Sequence, residues 1–340
     1  MALLLEPDDP RLTWQGAVSL QRTDDWAMPW RIPFEQAGLF PPLALQERAA
    51  NAAGVRVAFR SDTTAVAGRV VPQAEEALID LYCDGVMQGS VSVAATDRFS
   101  FDGLPGGDKL IELWLPQYAE FRLRSLELDD GSSVASYDDG RPRWTAYDGS
   151  SITHCKAAES PSMTWPAIVA REHGLNLTCL GYGGNCHLEP MIAMMIRDLP
   201  ADFISLKVGI NIYSGASLGI RTFRAALIGF VRIVREGHPD TPLAVASPIV
   251  APARESTENE VGLTLEIIRD EVEAAVDDLR AHGDRNVHYV DGLRLFGNEL
   301  VHLLSDGVHP NAEGYKRLAR NFGREVVDEV FARAPVVSHR

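Results

Sequence analysis

Two hydrophobic periods divide the chain, and the first is a period of two. Apolar residues alternate with polar or small ones in 55–59, 109–115 and 121–128, with turn-forming residues between the runs. This alternation predicts half-buried strands. Asp84-Gly85 separates two further apolar runs, as in a tight hairpin. Several short strands without a helical period predict a jelly-roll-like β-sandwich.

The first fifty residues show no clear period. Trp14, Trp26 and Trp30 lie there among prolines. We expect irregular structure that wraps the sandwich, with these aromatic rings packed rather than presented to a ligand.

Strands and helices alternate in the second part of the chain. Short apolar runs predict strands at 144–147, 175–180, 203–208, 243–246 and 287–290. A period of 3.6 predicts two helical stripes, formed by Phe223, Leu227, Phe230, Val231 and Val234, and by Val261, Leu265, Ile268, Val272, Ala275 and Leu279. Repeated β-α units predict an α/β domain with a parallel sheet between helices.

A turn-rich segment separates the two patterns. Residues 129–142 are rich in Asp, Gly and Ser, which favour turns and linkers. We therefore expect a sandwich domain with its irregular leading segment at 1–138 and an α/β domain at 139–340.

Composition narrows the possible partners. The formal net charge of the 340 residues is -15, and no basic stripe could neutralise phosphates, which argues against a nucleic-acid partner. The first residues lack the basic and apolar regions of a signal peptide, and no segment is long enough to span a bilayer. We expect a cytoplasmic protein without a membrane partner.

Four cysteines, Cys83, Cys155, Cys179 and Cys186, match no zinc-ligand spacing. Reduced thiols are therefore expected. The adjacent pairs His154-Cys155 and Cys186-His187 could converge on a metal, but such spacing fits no common site. The interpretation that we favour has no metal.

A serine pair follows the first strand of the α/β part. Asp148-Gly149-Ser150-Ser151 breaks the strand and leads toward a helix. A sharp strand-to-helix turn can hold a hydroxyl beside unpaired backbone N–H groups, which suits an acyl-transfer nucleophile. The same serines could instead only cap the helix.

The next two strand ends carry candidate donors. Residues 181–187 are glycine-rich and include Gly184, whose backbone could approach a ligand closely. Asn211 follows the third strand and could donate an amide N–H to an oxyanion, or brace its own turn.

The last candidate segment joins an acid and a base. Asp306 precedes His309 by three residues, just before a C-terminal helix. An imidazole is the usual base for a serine, and a carboxylate can fix its tautomer.

These segments resemble the four ordered blocks of the SGNH (GDSL-type) hydrolase superfamily. The blocks correspond to Gly149-Ser150-Ser151, Gly184, Gly209-Ile210-Asn211 and Asp306-Gly307-Val308-His309. The resemblance covers the chain from Trp144 onward.

The resemblance implies a flavodoxin-like three-layer α/β/α fold and a role for each residue. Ser151 would be the nucleophile, His309 the base and Asp306 its orienting acid. The Ser151 N–H, the Gly184 N–H and the Asn211 amide would form the oxyanion hole, and no cofactor is implied.

Two aspartates that the family pattern carries are absent. Ser150 stands for the Asp of Gly-Asp-Ser, and Ile212 for the Asp of Gly-X-Asn-Asp. Neither aspartate is a reacting group, so the resemblance still implies activity.

The order of a sandwich before a hydrolase domain is similar to that of family 2 carbohydrate esterases. This order implies that the substrate is a small acyl ester of a sugar or small metabolite. The acyl group that we expect to be removed is acetyl. A thioesterase or lysophospholipase of the same fold is the alternative enzyme. A non-catalytic carbohydrate-binding protein is the alternative from another class.

Overall fold

The computed structural model describes residues 2–147 and 150–332. Two compact units emerge from the packing of the chain. The first consists of Met1–Arg141, His154–Ala167 and Asn176–Cys179. The second consists of Pro142–Thr153, Ile168–Leu175 and Leu180–Arg340.

Two antiparallel sheets form the body of the first unit. Their strands are β1 (Leu3–Leu5), β2 (Thr13–Gln15), β3 (Ser19–Arg22), β4 (Ala27–Trp30), β5 (Arg56–Ser61), β6 (Ala65–Val70), β7 (Leu78–Cys83), β8 (Val86–Ser92), β9 (Arg98–Asp102), β10 (Lys109–Trp114), β11 (Leu123–Leu128) and β12 (Val134–Ala135). One sheet has the order β3-β4-β11-β6-β9, with β1 paired to β11. The other has the order β12-β5-β10-β7-β8, with β2 paired to β5.

The inward side chains of both sheets share one core. Phe59, Leu81 and Ile111 from one sheet lie in the same buried cluster as Val66 and Leu126 from the other. Full burial of each such side chain stabilises the fold by about 1.5–3 kcal/mol. The predicted β-sandwich is confirmed.

The predicted hairpin is present between β7 and β8. Cys83 pairs with Val86, and the two turn residues Asp84 and Gly85 have φ values of 46° and 78°. Positive φ at both central positions matches the twist of the flanking strands, which explains the choice of Asp-Gly.

The prediction of irregular structure in the first fifty residues was wrong. This segment contains β1 to β4 and the helix α1 (Leu43–Ala49), together with a 3₁₀ turn at Phe34–Leu39. The strands are only three or four residues long, which is too short for an alternating pattern to show. Pairing with β5 and β11 holds them in place.

From Arg143 onward, strands and helices alternate. The strands are β13 (Arg143–Tyr147), β14 (Asn176–Cys179), β15 (Phe203–Lys207), β16 (Leu243–Ala246) and β17 (Val287–Val290). The helices are α2 (Ser151–His154), α3 (Trp165–Glu172), α4 (Pro190–Asp198), α5 (Ile210–Gly215), α6 (Ile220–Gly237), α7 (Leu265–Ala281), α8 (Gly292–Leu295) and α9 (Ala312–Phe322). Wider π-type turns continue α9 over Gly323–Phe331, and 3₁₀ turns cover Pro161–Met163, Pro252–Arg254 and Asn298–Leu303.

The parallel sheet has the strand order β14-β13-β15-β16-β17. The order reverses at β13, because the next strands along the chain lie on opposite sides of it. Loops at the carboxyl ends of strands diverge at such a reversal and leave a crevice for a ligand. The α/β class is confirmed, and the loops after β13, β14 and β15 are the ones at this crevice.

The helical stripes are nearly as predicted. All five apolar residues of the first stripe are buried on α6. In the second stripe, Val261 was predicted wrongly: it precedes α7 and is 39% exposed. The reason is the cap, since the Thr264 hydroxyl accepts a hydrogen bond from the Ile267 N–H and starts the helix there. No described helix combines the length and apolarity needed to cross a bilayer.

Candidate active site

The two serines after β13 have different surroundings. Asp148 and Gly149 of the first block lie outside the described residues. Ser150 is fully buried, and its Oγ accepts a hydrogen bond from the Ile152 N–H at 3.1 Å. This is a helix-capping contact. Ser151 is the first residue of α2 and is half-buried. The capping interpretation therefore fits Ser150 and leaves the Ser151 hydroxyl for other contacts.

Ser151, His309 and Asp306 lie in one hydrogen-bonded line. The Ser151 Oγ is 2.6 Å from the His309 Nε2. The His309 Nδ1 is 2.7 Å from the Asp306 Oδ2. Since the carboxylate accepts the proton carried by Nδ1, Nε2 is left unprotonated and faces the hydroxyl as a base. The geometry is that of a nucleophile, a base and an orienting acid.

A compact loop holds the acid in place. The Asp306 Oδ1 accepts the backbone N–H groups of Val308 at 3.0 Å and His309 at 2.8 Å. Gly307 has a φ of 80°, a conformation that favours glycine. Desolvation raises the pKa of Asp306, but these bonds and the imidazole outweigh it and bring the pKa to about 2. Asp306 is therefore ionised at any pH at which a serine enzyme works.

The three predicted oxyanion donors are unpaired in the part of the chain that the structure describes. The N–H groups of Ser151 and Gly184 donate to no described acceptor, and neither does the amide nitrogen of Asn211. Unpaired donors at strand ends are what an oxyanion hole needs.

Asn211 has a fixed orientation. Its side chain is 7% exposed, and its Oδ1 accepts the Cys186 N–H at 3.3 Å. The oxygen end is thereby used, and the nitrogen end is left as the donor. Gly209, which starts the turn before α5, has a φ of 118°, and a Cβ there would lie 2.5 Å from the Ile268 side chain. Only glycine lets β15 turn so closely into α5.

The loop after β14 is anchored by contacts that sequence reasoning missed. The Leu180 N–H donates to the Ala146 carbonyl at 2.9 Å, which places the loop beside the end of β13. Further along, the Glu189 carboxylate accepts the Tyr147 hydroxyl at 3.0 Å and the His187 N–H at 2.9 Å.

Burial raises the pKa values of Tyr147 and Glu189. The sequence carried no signal for Glu189, which lies in the irregular segment between β14 and α4. Its partner could not be read from the sequence, because the two residues lie 42 positions apart.

The cysteine and histidine pairs form no metal site in the described residues. No group of three or more His, Cys, Asp or Glu side chains is placed to hold a metal ion in those ranges. The His154 Nε2 lies 3.4 Å from the Arg31 guanidinium, and burial together with Arg31 and Arg48 lowers the pKa of His154. A cation is disfavoured beside that guanidinium. All four cysteines are buried, and none forms a disulfide within the described residues.

The fold and the ordered loops define a hydrolase of the GDSL type, and comparisons with known proteins agree. A sequence model of the GDSL-like lipase/acylhydrolase family matches residues 144–327. A second model, for the N-terminal domain of SsfX3, matches residues 12–124. The chain belongs to the GDSL-like lipase/acylhydrolase family, as the resemblance implied.

Solved structures extend the likeness over both parts of the chain. The salicylyl-acyltransferase SsfX3 from a tetracycline biosynthetic pathway is 39% identical, with a TM-score of 0.91 over 98% of this chain and 99% of that one. A family two carbohydrate esterase from Clostridium thermocellum is 15% identical, with a TM-score of 0.68 over 94% and 98%. An acetyl xylan esterase from Butyrivibrio proteoclasticus is 11% identical, with a TM-score of 0.61 over 97% and 98%.

The two esterases share the fold, and the acyltransferase is similar in sequence and structure over nearly the whole chain. A search of curated protein sequences found no match. Together the family and its relatives assign the chain to acyl transfer or acyl-ester hydrolysis. The catalytic roles of Ser151, Gly184, Asn211, Asp306 and His309 stay predictions.

Proposed function

We propose that the chain is a serine acylhydrolase in which Ser151 carries the acyl group. The observation that supports it is the 2.6 Å contact between the Ser151 Oγ and the His309 Nε2. His309 takes the hydroxyl proton as the oxygen attacks the ester carbonyl, and Asp306 steadies the imidazolium. The carbonyl oxygen becomes anionic among the donors of Ser151, Gly184 and Asn211.

The acyl-enzyme then passes its acyl group to water. Collapse of the first tetrahedral intermediate breaks the ester bond, and the alcohol leaves with the proton from His309. A water then gives a proton to the same imidazole and attacks the acyl-Ser151 carbonyl. Collapse of this second tetrahedral intermediate breaks the bond between the acyl carbon and the Ser151 Oγ, which takes the proton back from His309 as the acid leaves.

The proposed substrate is a small acyl ester of a sugar or small metabolite, with acetyl as the first acyl group to test. The support is architectural, since the sandwich followed by a hydrolase domain is also the arrangement of the carbohydrate esterases compared above. An ester series of increasing acyl length separates this substrate from those of a lysophospholipase, which needs a long chain.

A second candidate function is acyl transfer to an alcohol, and one observation favours it. The relative at 39% identity is a salicylyl-acyltransferase, and the likeness spans 98% of this chain. The acyl-enzyme and the oxyanion hole are the same in both reactions, and only the second nucleophile differs. Aryl acetate and aryl salicylate donors, each with and without added polyhydroxylated acceptors, distinguish them. Formation of an acylated acceptor in place of the free acid supports transfer.

Labelling by a fluorophosphonate tests the proposal. Such probes react quickly only with a serine that a base activates. We expect labelled Ser151 in the wild type, no labelling in Ser151→Ala, and retained labelling in Ser150→Ala, whose hydroxyl caps α2. An unlabelled, inactive wild type would instead support the carbohydrate-binding alternative, and labelling that persists in Ser151→Ala would move the nucleophile elsewhere.

A further inference from the structure

Gly184 itself has no packing that would hold its orientation, although Tyr182 and Cys186 on either side of it are buried. A Cβ added at Gly184 would meet no atom within 4 Å, so no neighbouring side chain presses on this residue. Its φ is 78°, and Gly183 precedes it. Two successive glycines allow many backbone conformations. A donor needs a fixed direction to stabilise an oxyanion, so hydrogen bonds must supply what packing does not.

The Asn185 side chain supplies such a hydrogen bond to the peptide between Gly183 and Gly184. Its Nδ2 donates to the Gly183 carbonyl at 2.8 Å. The Gly183 carbonyl and the Gly184 N–H belong to one planar peptide unit and point in opposite directions. Fixing the carbonyl therefore fixes the direction of the N–H. The Asn185 N–H also donates to the Tyr182 carbonyl at 2.8 Å, which closes the turn.

The peptide on the other side of Gly184 is held as well. The Gly184 carbonyl lies 3.1 Å from the His187 Nε2. The His187 Nδ1 lies 2.6 Å from the Ser217 Oγ. A Cβ at Gly215 would lie 2.9 Å from this ring, so the imidazole rests against that backbone. Both peptides that flank Gly184 are thus tied by side chains of the next three residues.

We propose that Asn185 is a positioning residue that orients the Gly184 N–H toward the oxyanion. This inference rests on the proposed function, since it assumes an oxyanion formed at Ser151. Asn185 acts through the peptide and touches no reacting atom. Its removal should weaken binding of the transition state while ground-state binding of the ester stays nearly unchanged.

The test compares Asn185→Ala and Asn185→Asp with the wild type. Turnover of an aryl ester is measured per site titrated with a fluorophosphonate, together with the affinity for an aryl trifluoromethyl ketone, which forms a tetrahedral adduct with an oxyanion. Complete loss of an oxyanion donor lowers turnover about 100- to 1,000-fold, and we expect a misdirected donor to lower it about 10-fold. Ketone affinity should fall by a similar factor, with KM little changed.

Asn185→Asp keeps the size of the side chain but places an acceptor against the Gly183 carbonyl. Its loss should be at least as large, and it keeps the test decisive if the alanine variant folds poorly. Asn286→Ala is the matched control, because the Asn286 Nδ2 also donates to a backbone carbonyl, that of Asp240, at 2.9 Å. Turnover per site should be unchanged in this control.

The outcomes separate the two proposals. A wild type that neither labels nor turns over ester removes the proposed function and this inference with it. An active wild type whose Asn185→Ala variant keeps its turnover per site and its ketone affinity overturns this inference alone. A lower melting temperature without either kinetic change also overturns it, because that result means Asn185 serves only the stability of the loop.

Discussion

Replacement of Asn211 by alanine should separate catalysis from stability. The side chain has two ends with two tasks: Oδ1 accepts the Cys186 N–H at 3.3 Å, and the nitrogen is unpaired within the described chain. Asn211→Ala removes both. The donor matters only when the carbonyl oxygen becomes anionic, so its loss should lower kcat with little change in KM.

The size of each effect follows from these contacts. Losing one oxyanion donor costs about 100- to 1,000-fold in kcat, about 3–4 kcal/mol. The loss of Oδ1 removes the hydrogen bond that it accepts from the buried Cys186 N–H, which costs about 1–3 kcal/mol of folding free energy. Asn211→Asp is the matched variant, because its carboxylate still accepts the Cys186 N–H but offers no donor and repels the oxyanion.

The assay is aryl-ester turnover per fluorophosphonate-titrated site, with denaturant unfolding measured in parallel. We expect both variants to lose turnover by at least 100-fold, and Asn211→Asp to keep more of the stability than Asn211→Ala. If Asn211→Ala unfolds more easily but turns over at the wild-type rate per site, Asn211 only braces its turn and has no place in the oxyanion hole.

Two further predictions concern the acid and the base. His309→Ala should reduce turnover to background, while Asp306→Ala should cost about 100- to 1,000-fold, less than in buried triads, because the Asp306 side chain is 57% exposed and water can replace it at Nδ1; equal losses in the two variants would contradict this. For pH, the pKa of Asp306 is about 2 in the folded chain and about 3.9 in a free aspartate, so its contribution to stability is present above about pH 4 and is lost as the pH falls through about 2. The acid limb of the kcat/KM profile should therefore lie at a higher pH than the titration of Asp306, and it should persist in every Asp306 variant. A limb centred near pH 2 would refute His309 as the base.

Local patterns were enough to predict most of the fold from the sequence. The stripe on α6 was predicted fully, since each of its residues faces the core through a period that neighbours alone establish. The five strands of the parallel sheet were predicted because buried strands are continuous apolar runs. The leading strands could not be, because β1 and β2 exist only through pairing with β11 and β5, distant along the chain.

In the candidate site, too, some features could be predicted from the sequence and others could not. The resemblance to the SGNH blocks implied that Ser151, Asp306 and His309 would meet, and the structure brings them together. The resemblance assigned no role to Asn185, although the loop was noticed for its glycines. A hydrogen bond two residues back along an irregular loop depends on the exact backbone path, which no periodic pattern encodes.

Asp306 and His309 lie on one turn, and this determines how the alignment of the two side chains with Ser151 can be lost. Asp306 and His309 are three positions apart on one turn, and that turn is closed by its own hydrogen bonds. The contact of Ser151 with His309 joins residues 158 positions apart and is the long-range distance on which the alignment depends. A shift of the turn would therefore separate His309 from Ser151 without disturbing the pairing of His309 with Asp306, so the alignment of the three side chains depends on how the turn is held against α2.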